Sequence, residues 1–301
     1  MKETPATVPV ALNVPRTSGR VADYVELAKL RLNALVIATS AAGYYLGATG
    51  TVDWWQMLFA ASGTAAVAAG AACLNQVYER DTDALMGRTR LRPLPDGRLT
   101  PGEARAFGVT LVCLGLLMLG VCTNLLAAGL ATATLIIYLS IYTPMKRRSQ
   151  LATLVGAVPG ALPPLIGWTA SHGSLSIGGA ALFVIVFLWQ IPHFMAIAWL
   201  YRHDYAKAGF PMLPVIEPDG RRTGRQAVLY AAALVPASLV PSLVGVSGTM
   251  YGAVAAVLGV LFLGLAVRFA RARSDATART LFFASITYLP LIWAAMIGDR
   301  L

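Results

Sequence analysis

Long apolar segments recur along this chain and are separated by short polar connections. Nine of them fall near the roughly 20 apolar residues that a membrane helix requires. They cover residues 25–46, 54–78, 104–121, 125–142, 151–168, 178–200, 227–244, 251–268 and 281–297. Because lipid offers no water to backbone polar groups, continuous segments of this kind form helices. The pattern therefore predicts an all-α membrane protein with about nine transmembrane helices.

The fifth segment differs from the others because it is rich in residues that disturb helices. Pro159, Pro163 and Pro164 lie within it, together with several glycines. Carbonyl groups freed by proline need partners inside the bundle, or must line a cavity. We therefore expect the helices to surround a central cavity that this segment helps to shape.

Composition and charge agree with a membrane protein of defined orientation. Only 13% of the residues are charged, against about 25% in a soluble domain. Lys and Arg are concentrated in the connections 80–105, 146–148, 202–225 and 268–279, whereas the alternate connections contain none. By the positive-inside rule, the N-terminus is expected in the cytoplasm and the C-terminus on the opposite side of a bacterial inner membrane. The net charge of +10 therefore does not require nucleic acid as a partner.

The domain organisation follows from the same pattern. Residues 1–22 contain three prolines and lack the apolar core of a signal peptide. They are expected to form a flexible cytoplasmic tail, and residues 23–301 a single transmembrane domain.

A polar stretch, residues 75–98, follows the second apolar segment. Asn75, Glu79 and Asp83 recur every four residues, so they share one face of a helix. Two carboxylates at this spacing repel each other by roughly 0.2–0.5 kcal/mol on an exposed helix. Mg²⁺ would relieve the repulsion, since it is usually held by one or two carboxylates plus substrate phosphates. The alternative is that these are ordinary interfacial residues neutralised by a neighbouring arginine.

Basic side chains near this face are candidates for binding phosphate, because guanidinium binds phosphate in a bidentate way. The candidates are the basic residues Arg88, Arg92, Lys146 and Arg147, and the phenol of Tyr142. Any of the basic residues could instead serve only as a topology signal. Asp204 and Lys207 follow the sixth segment and are expected to form a second wall of the same pocket, unless they form a surface ion pair.

His193 is a further candidate, because it lies inside the sixth apolar segment next to Pro192. A buried histidine is often structural, but its imidazole could ligate iron or move a proton. The chain contains no P-loop, dinucleotide fingerprint or zinc-protease motif, which argues against nucleotide-driven transport. An ion-coupled transporter remains an alternative, although transporters place such acids near the bilayer midplane.

At these residues the chain resembles the UbiA superfamily of intramembrane aromatic prenyltransferases, and within it the branch that modifies haem. The matching stretches are residues 75–95, 142–147, 156–168, 189–194 and 204–214. The resemblance implies a nine-helix fold around a lateral cavity, and transfer of farnesyl from farnesyl diphosphate to a vinyl group of haem B, which makes haem O. It implies Asn75, Glu79 and Asp83 as Mg²⁺ ligands, with catalytic roles for these three, Lys146 and Asp204. The implied partners are the bilayer, haem B, farnesyl diphosphate, and haem A synthase or oxidase assembly factors.

Two positions depart from the pattern of this superfamily. Glu79 stands where Asp is common, but it still provides a carboxylate. The second acidic motif usually has two acids four residues apart, whereas here Asp204 is followed at that spacing by Ala208. A complete second metal site is therefore in doubt, and Lys207 is a candidate for direct contact with phosphate. A quinone precursor or chlorophyllide remains open as an alternative acceptor.

Overall fold

The computed structural model describes residues 19–301, except for the side chains of Arg31 and Leu32. In this range the fold consists of helices joined by turns and loops. The helices are α1 Arg20–Leu27, α2 Leu30–Gly47, α3 Trp54–Asp83, α4 Pro101–Cys122, α5 Leu125–Ile136, α6 Thr143–Met145, α7 Ala152–His172, α8 Ile177–Leu200, α9 Arg202–Lys207, α10 Leu213–Ile216, α11 Arg221–Leu243, α12 Thr249–Ala272 and α13 Asp275–Gly298. A π-helical segment, Ile137–Tyr142, joins α5 to α6. Most of the tail expected at 1–22 lies outside the described residues.

Seven helices in the described range are long and apolar enough to cross a membrane. They are α3, α4, the continuous helix Leu125–Met145, α8, α11, α12 and α13. The predicted first and fifth segments correspond to α2 and α7, which are 18 and 21 residues long. The all-α membrane fold is therefore confirmed, with seven clear spans and two further long helices in the predicted order.

The first predicted segment, 25–46, is not one helix. α1 ends at Leu27, α2 begins at Leu30, and Lys29 between them has a φ of 50°. This left-handed conformation costs roughly 1–2 kcal/mol for a residue with a Cβ. The break separates α1 from the span, and α1 is joined to α3 where Gln76 Nε2 donates to the Leu27 carbonyl at 2.7 Å.

Small residues allow pairs of helices to pack with their backbones in contact. A Cβ on Gly167 of α7 would overlap the carbonyl oxygen of Ser40 in α2, and one on Gly43 would overlap that of Pro164. α3 and α4 approach in the same way, since a Cβ on Gly70 would lie 2.5 Å from the carbonyl oxygen of Gly108. Close packing of this kind stabilises helices in lipid, where the hydrophobic effect between them is absent.

The C-terminal ends of α3 and α8 lie at the same end of the bundle, which we call the carboxylate end because Glu79 and Asp83 lie there. The loop 84–100 packs there against the segment after α9, where Met86, Ala208 and Phe210 form one buried apolar cluster. Arg98 of this loop forms an ion pair with Asp23 of α1. The loops after α3 and α8 are thereby brought together, whereas the opposite end of the bundle contains the first turns of both helices.

We predict that Gly167→Ala destabilises the protein, because its methyl group has no space against the α2 backbone. Overpacking of this kind costs typically about 1–3 kcal/mol. The matched control is Gly264→Ala in α12, where no atom lies within 4 Å of the added carbon. This control should be neutral or slightly stabilising, since alanine is the better helix former. The midpoint of thermal unfolding in detergent measures both, and equal midpoints would contradict the close approach of α2 and α7.

Candidate functional site

The site is built on the last three turns of α3. This helix starts at its N-cap Asp53, whose side chain accepts a hydrogen bond from the Gln56 amide. Its 30 residues extend about 45 Å at 1.5 Å per residue. At its far end Asn75, Glu79 and Asp83 lie on one face, as their spacing predicts, and each is at most 7% exposed.

Asn75 and Glu79 are joined to the helix that precedes the loop 146–151. Asn75 Nδ2 donates to Glu79 Oε2 at 2.8 Å, and Thr143 Oγ1 donates to Asn75 Oδ1 at 2.7 Å. Lys146 Nζ donates to Glu79 Oε2 at 3.2 Å. The amide is thus oriented from both sides and the carboxylate has a cationic partner. Thr143 belongs to a matching stretch, but its role in orienting Asn75 was not predicted.

Asp83 is bound by the loop that follows it. Arg92 Nη1 donates to Asp83 Oδ2 at 2.7 Å, and Thr89 Oγ1 donates to the Asp83 carbonyl at 2.7 Å. These bonds fold the loop back over the end of α3. The two carboxylates are therefore each paired with a separate cation, which relieves their mutual repulsion.

One oxygen of this cluster remains without a hydrogen bond. Glu79 Oε1 is buried, and although it lies 3.1 Å from Lys146 Nζ it accepts no hydrogen bond of good geometry. Among residues 19–301 no group of three Asp, Glu, His or Cys side chains converges on one point. The donor set is thus two carboxylates and one amide, which fits an Mg²⁺ ion that also takes phosphate oxygens from a substrate.

The cation of Lys146 is held by its surroundings. Nζ lies 4.6 Å from the centroid of the Tyr142 ring, and the two residues are one helical turn apart. Burial alone would lower the pKa of Lys146, but its interactions with Tyr142 and with the Glu79 carboxylate, which accepts its hydrogen bond, outweigh burial and raise the pKa above its ordinary value. Lys146 therefore remains protonated at neutral pH and keeps a fixed positive charge beside Glu79.

Lys29 is a further basic residue of this cluster, and sequence analysis did not single it out as a site residue. Burial, then the positive charges of Arg92 and Lys146, lower the pKa of Lys29 to about 7. Glu79 and Asp83 act on it in the opposite direction. The charged groups that act on the pKa of Lys29 are thus those of this cluster, and Lys29 itself lies at the break between α1 and α2. In the sequence, Lys29 is a lysine at the start of an apolar segment, and this pattern equally indicates only the orientation of the segment in the membrane.

The remaining candidates lie on the outer side of this cluster. The carboxylate oxygens of Asp204 lie 3.9 Å from where a Cβ of Gly87 would stand, so the second motif faces the loop after α3. Arg88 lies over the Tyr201 ring at 5.3 Å. Arg147 and Lys207 are exposed. No ion pair joins Asp204 to Lys207 within the described part of the chain, so the surface-pair interpretation of these two residues finds no support.

His193 lies apart from the charged cluster, between α8 and α13. Its Nδ1 is 2.7 Å from Ser285 Oγ, and its ring is stacked between Trp189 and Phe282 at centroid distances of 5.2 and 5.1 Å. The bond to Ser285 fixes the ring orientation, and leaves Nε2 available to a ligand. The structure therefore gives His193 a packing role and keeps one nitrogen uncommitted by this bond.

Fold and site together define an integral membrane protein with a buried, charge-paired site suited to a metal-bound diphosphate. The chain belongs to the UbiA prenyltransferase family, whose sequence model matches residues 35–287. This confirms the family inferred from the motifs.

Curated relatives and solved structures resemble the chain over most of its length. It is 47% identical to the protoheme IX farnesyltransferase of Solibacter usitatus, over 92% of this chain and 98% of the relative. A digeranylgeranylglyceryl phosphate synthase structure matches with a TM-score of 0.79 at 18% identity, over 94% of this chain and 99% of that one. A UbiA homolog from Archaeoglobus fulgidus bound to GPP and Mg²⁺ matches with a TM-score of 0.65 at 17% identity, over 91% of this chain and 99% of that one. At such identities these two structures show the shared fold.

We predict that Arg92→Met lowers the free energy of unfolding by about 3–5 kcal/mol, because it leaves the buried Asp83 carboxylate without its cation. The matched control is Arg221→Met, which removes the exposed ion pair to Asp219 at 3.2 Å. Exposed pairs contribute about 0–1 kcal/mol. Denaturant unfolding in detergent gives both values, and a loss for Arg92→Met no larger than the control would show that Asp83 does not depend on Arg92.

Proposed function

We propose that this protein transfers a farnesyl group from farnesyl diphosphate to a vinyl group of haem B, making haem O. The observation that carries the proposal is the buried pair Glu79 and Asp83, held by Lys146 and Arg92 at one end of a UbiA-type bundle. Relatives at 42–47% identity over nearly the whole chain are named protoheme IX farnesyltransferase, which supports haem as the acceptor.

The diphosphate half of the site is assigned to the carboxylate end. Asn75, Glu79 and Asp83 would hold Mg²⁺, and the groups proposed to bind diphosphate oxygens are Arg88, Arg92, Tyr142, Lys146, Arg147 and Lys207. When bound, Mg²⁺ neutralises the carboxylates and polarises the leaving group. Lys146 and Arg92, which are the counterions of these carboxylates, would also pair with phosphate oxygens of the substrate. Asp204 forms the facing wall.

The chemical step breaks the bond between farnesyl C1 and the diphosphate oxygen. Negative charge grows on that oxygen, and fixed cations such as Lys146 stabilise charge that develops in the transition state. The terminal vinyl carbon of haem forms the new bond to farnesyl C1. Water then adds to the neighbouring carbon and loses a proton, which leaves the hydroxyethylfarnesyl group of haem O.

The acceptor half of the site is assigned to the region of α8 and α13. His193 is proposed to contact haem through Nε2, because its Nδ1 is committed to Ser285. Trp189 and Phe282 on either side of the imidazole exclude water from its faces. An allylic cation also needs such an apolar surround, in which aromatic faces stabilise positive charge by about 1–2 kcal/mol.

The location proposed for the reaction follows from the basic loops. The loops rich in Lys and Arg lie at the carboxylate end, and we therefore assign this end to the cytoplasmic side of a bacterial inner membrane. The N-terminus would lie on that side and the C-terminus opposite. Haem A synthase or oxidase assembly factors are the proposed recipients of the product, and both substrates can enter sideways from the bilayer.

We predict that Glu79→Gln and Asp83→Asn each reduce haem O formation by about 100-fold or more, since each removes several kcal/mol of charge stabilisation. The assay incubates purified protein with haem B, farnesyl diphosphate and Mg²⁺, and identifies the porphyrin product by mass. Asp81→Asn is the matched control, because Asp81 is exposed and points away from this face. It should keep the native rate. A native rate from either folded test variant removes that carboxylate from the site, and prenylation of a quinone precursor in place of haem would correct the acceptor.

Mg²⁺ with inorganic pyrophosphate should stabilise the protein against heat in the absence of either organic substrate. Ligand at 100 times its dissociation constant contributes about 2.7 kcal/mol, which a thermal melt detects readily. The effect should disappear in Glu79→Gln, persist in Asp81→Asn and reverse on chelation. If the native protein melts at the same temperature with and without both ions, Glu79 and its neighbours do not form the proposed metal site.

A further inference from the structure

A second group of polar side chains lies at the opposite end of the bundle from the carboxylates. A cavity of about 1050 Å³ opens there between the ends of α2, α7 and α13 and the start of α8. Its polar lining includes His172, Ser176 and Arg300, and Trp168 also lines it. None of these residues takes part in the reaction proposed above.

The first turn of α8 contributes unpaired backbone donors to this cavity. The first N–H groups of any helix lack partners within it, and its N-terminus carries a partial positive charge. The N-cap Ser176 forms no side-chain capping bond, and no acidic residue lies in the first turn. The positive end of a 24-residue helix is therefore left without a negative group.

Two buried side-chain groups at the same place also lack partners. Ser176 Oγ and Trp168 Nε1 make no hydrogen bond, and Trp168 is only 5% exposed. A Cβ on Gly179 would lie nearest to the indole Cδ1, and one on Gly178 nearest to Cη2 and Cζ2; Nε1 lies between Cδ1 and Cζ2 along the edge of the ring. The N–H edge of the indole thus faces the first turn of α8. A buried donor without a partner is unfavourable, so an acceptor bound here would stabilise it.

Arg300 and His172 also line the cavity. Arg300 donates one hydrogen bond to the Ala48 carbonyl at 2.5 Å and lies 4.5 Å from the Tyr45 ring centroid. In the described part of the chain no carboxylate lies within ion-pairing distance of Arg300. The adjacent Asp299 instead accepts from the Tyr251 amide at 2.7 Å. Arg300 therefore has four further N–H donors, of five in a guanidinium, and no counterion.

His172, like Arg300, contacts a backbone carbonyl at the end of α2 through one of its nitrogens. Its Nδ1 lies 3.2 Å from the Gly47 carbonyl, which leaves Nε2 free of that bond. Both side chains thus hold the end of α2 with one nitrogen and have others to offer a ligand.

We propose that this cavity is an oxyanion site for a phosphate group, carried by a phospholipid headgroup or by free phosphate. Helix N-termini with free N–H groups bind phosphate readily, and guanidinium adds bidentate, charge-assisted bonds. The apolar lining, which includes Ile177 and Val246, accommodates the glycerol backbone of a lipid. The site is separate from the proposed haem contact, since His193 lies 16 residues beyond Ile177, the first residue of α8, which is about 24 Å along the helix.

The test titrates the full-length protein, in a neutral detergent, with dioctanoyl phosphatidylglycerol and separately with inorganic phosphate. Binding is followed by thermal stabilisation, with dioctanoylglycerol as the control that lacks a phosphate. We expect saturable stabilisation by phosphatidylglycerol, and about tenfold weaker binding in Trp168→Phe, Ser176→Ala and Arg300→Gln, as the loss of a hydrogen bond to a charged group predicts. Stabilisation by inorganic phosphate as well identifies the anion itself as sufficient, whereas its absence identifies the lipid as the source.

Trp293→Phe is the matched control, because Trp293 is also a buried tryptophan whose Nε1 lacks a partner, but it does not line the cavity. It should bind as the native protein does. The proposal is overturned if neither phosphate compound stabilises the protein or if dioctanoylglycerol stabilises it equally. It is also overturned if all three cavity variants titrate like the native protein, or if Trp293→Phe weakens binding as much as Trp168→Phe.

Discussion

The constraint on which the carboxylate end depends is the burial of charge. Each ion taken out of water loses several kcal/mol of solvation, and a well-packed apolar core of the same volume is often as stable or more so. The pairs Glu79–Lys146 and Asp83–Arg92 therefore require an explanation other than stability. Each pair joins α3 to a different segment, so the charges fix where the loop 84–100 and the turn after α6 must lie. A site that binds an anionic, metal-carrying substrate provides a reason to maintain this arrangement.

The close packing of helices makes that arrangement possible. α3 reaches the carboxylate end as one unbroken helix, and its Ala- and Gly-rich face lets α4 approach to backbone contact. α2 and α7 approach each other in the same way, although α7 contains three prolines. Gln190 of α8 donates to the Ala157 carbonyl of α7 at 3.2 Å, so the proline-containing helix is also supported by a polar contact within the bundle. Rigid packing of the spans holds the side chains of their last turns at fixed separations.

Much of this could be predicted from the sequence, because its main signals are local. Apolar length predicted the spans, and the four-residue spacing predicted that Asn75, Glu79 and Asp83 share a face. The partners of these residues depend on how loops fold back, which no periodicity encodes. Arg92 and Arg88 looked equivalent in the sequence, yet one binds Asp83 and the other lies over Tyr201. The cavity at the opposite end was missed because its residues come from four distant segments, and the one motif stretch among them, 156–168, contributes only Trp168.

The charged cluster at the carboxylate end contains more cations than carboxylates. Four cations, Lys29, Arg88, Arg92 and Lys146, accompany three carboxylates, Glu79, Asp83 and Asp204. Ala208 stands where a second acidic motif would have a further carboxylate, so the sequence adds no negative charge at that position. Burial, together with the positive charges of Arg92 and Lys146, lowers the pKa of Lys29 to about 7. An anion bound at this end would offset these positive charges and favour the protonated form of Lys29.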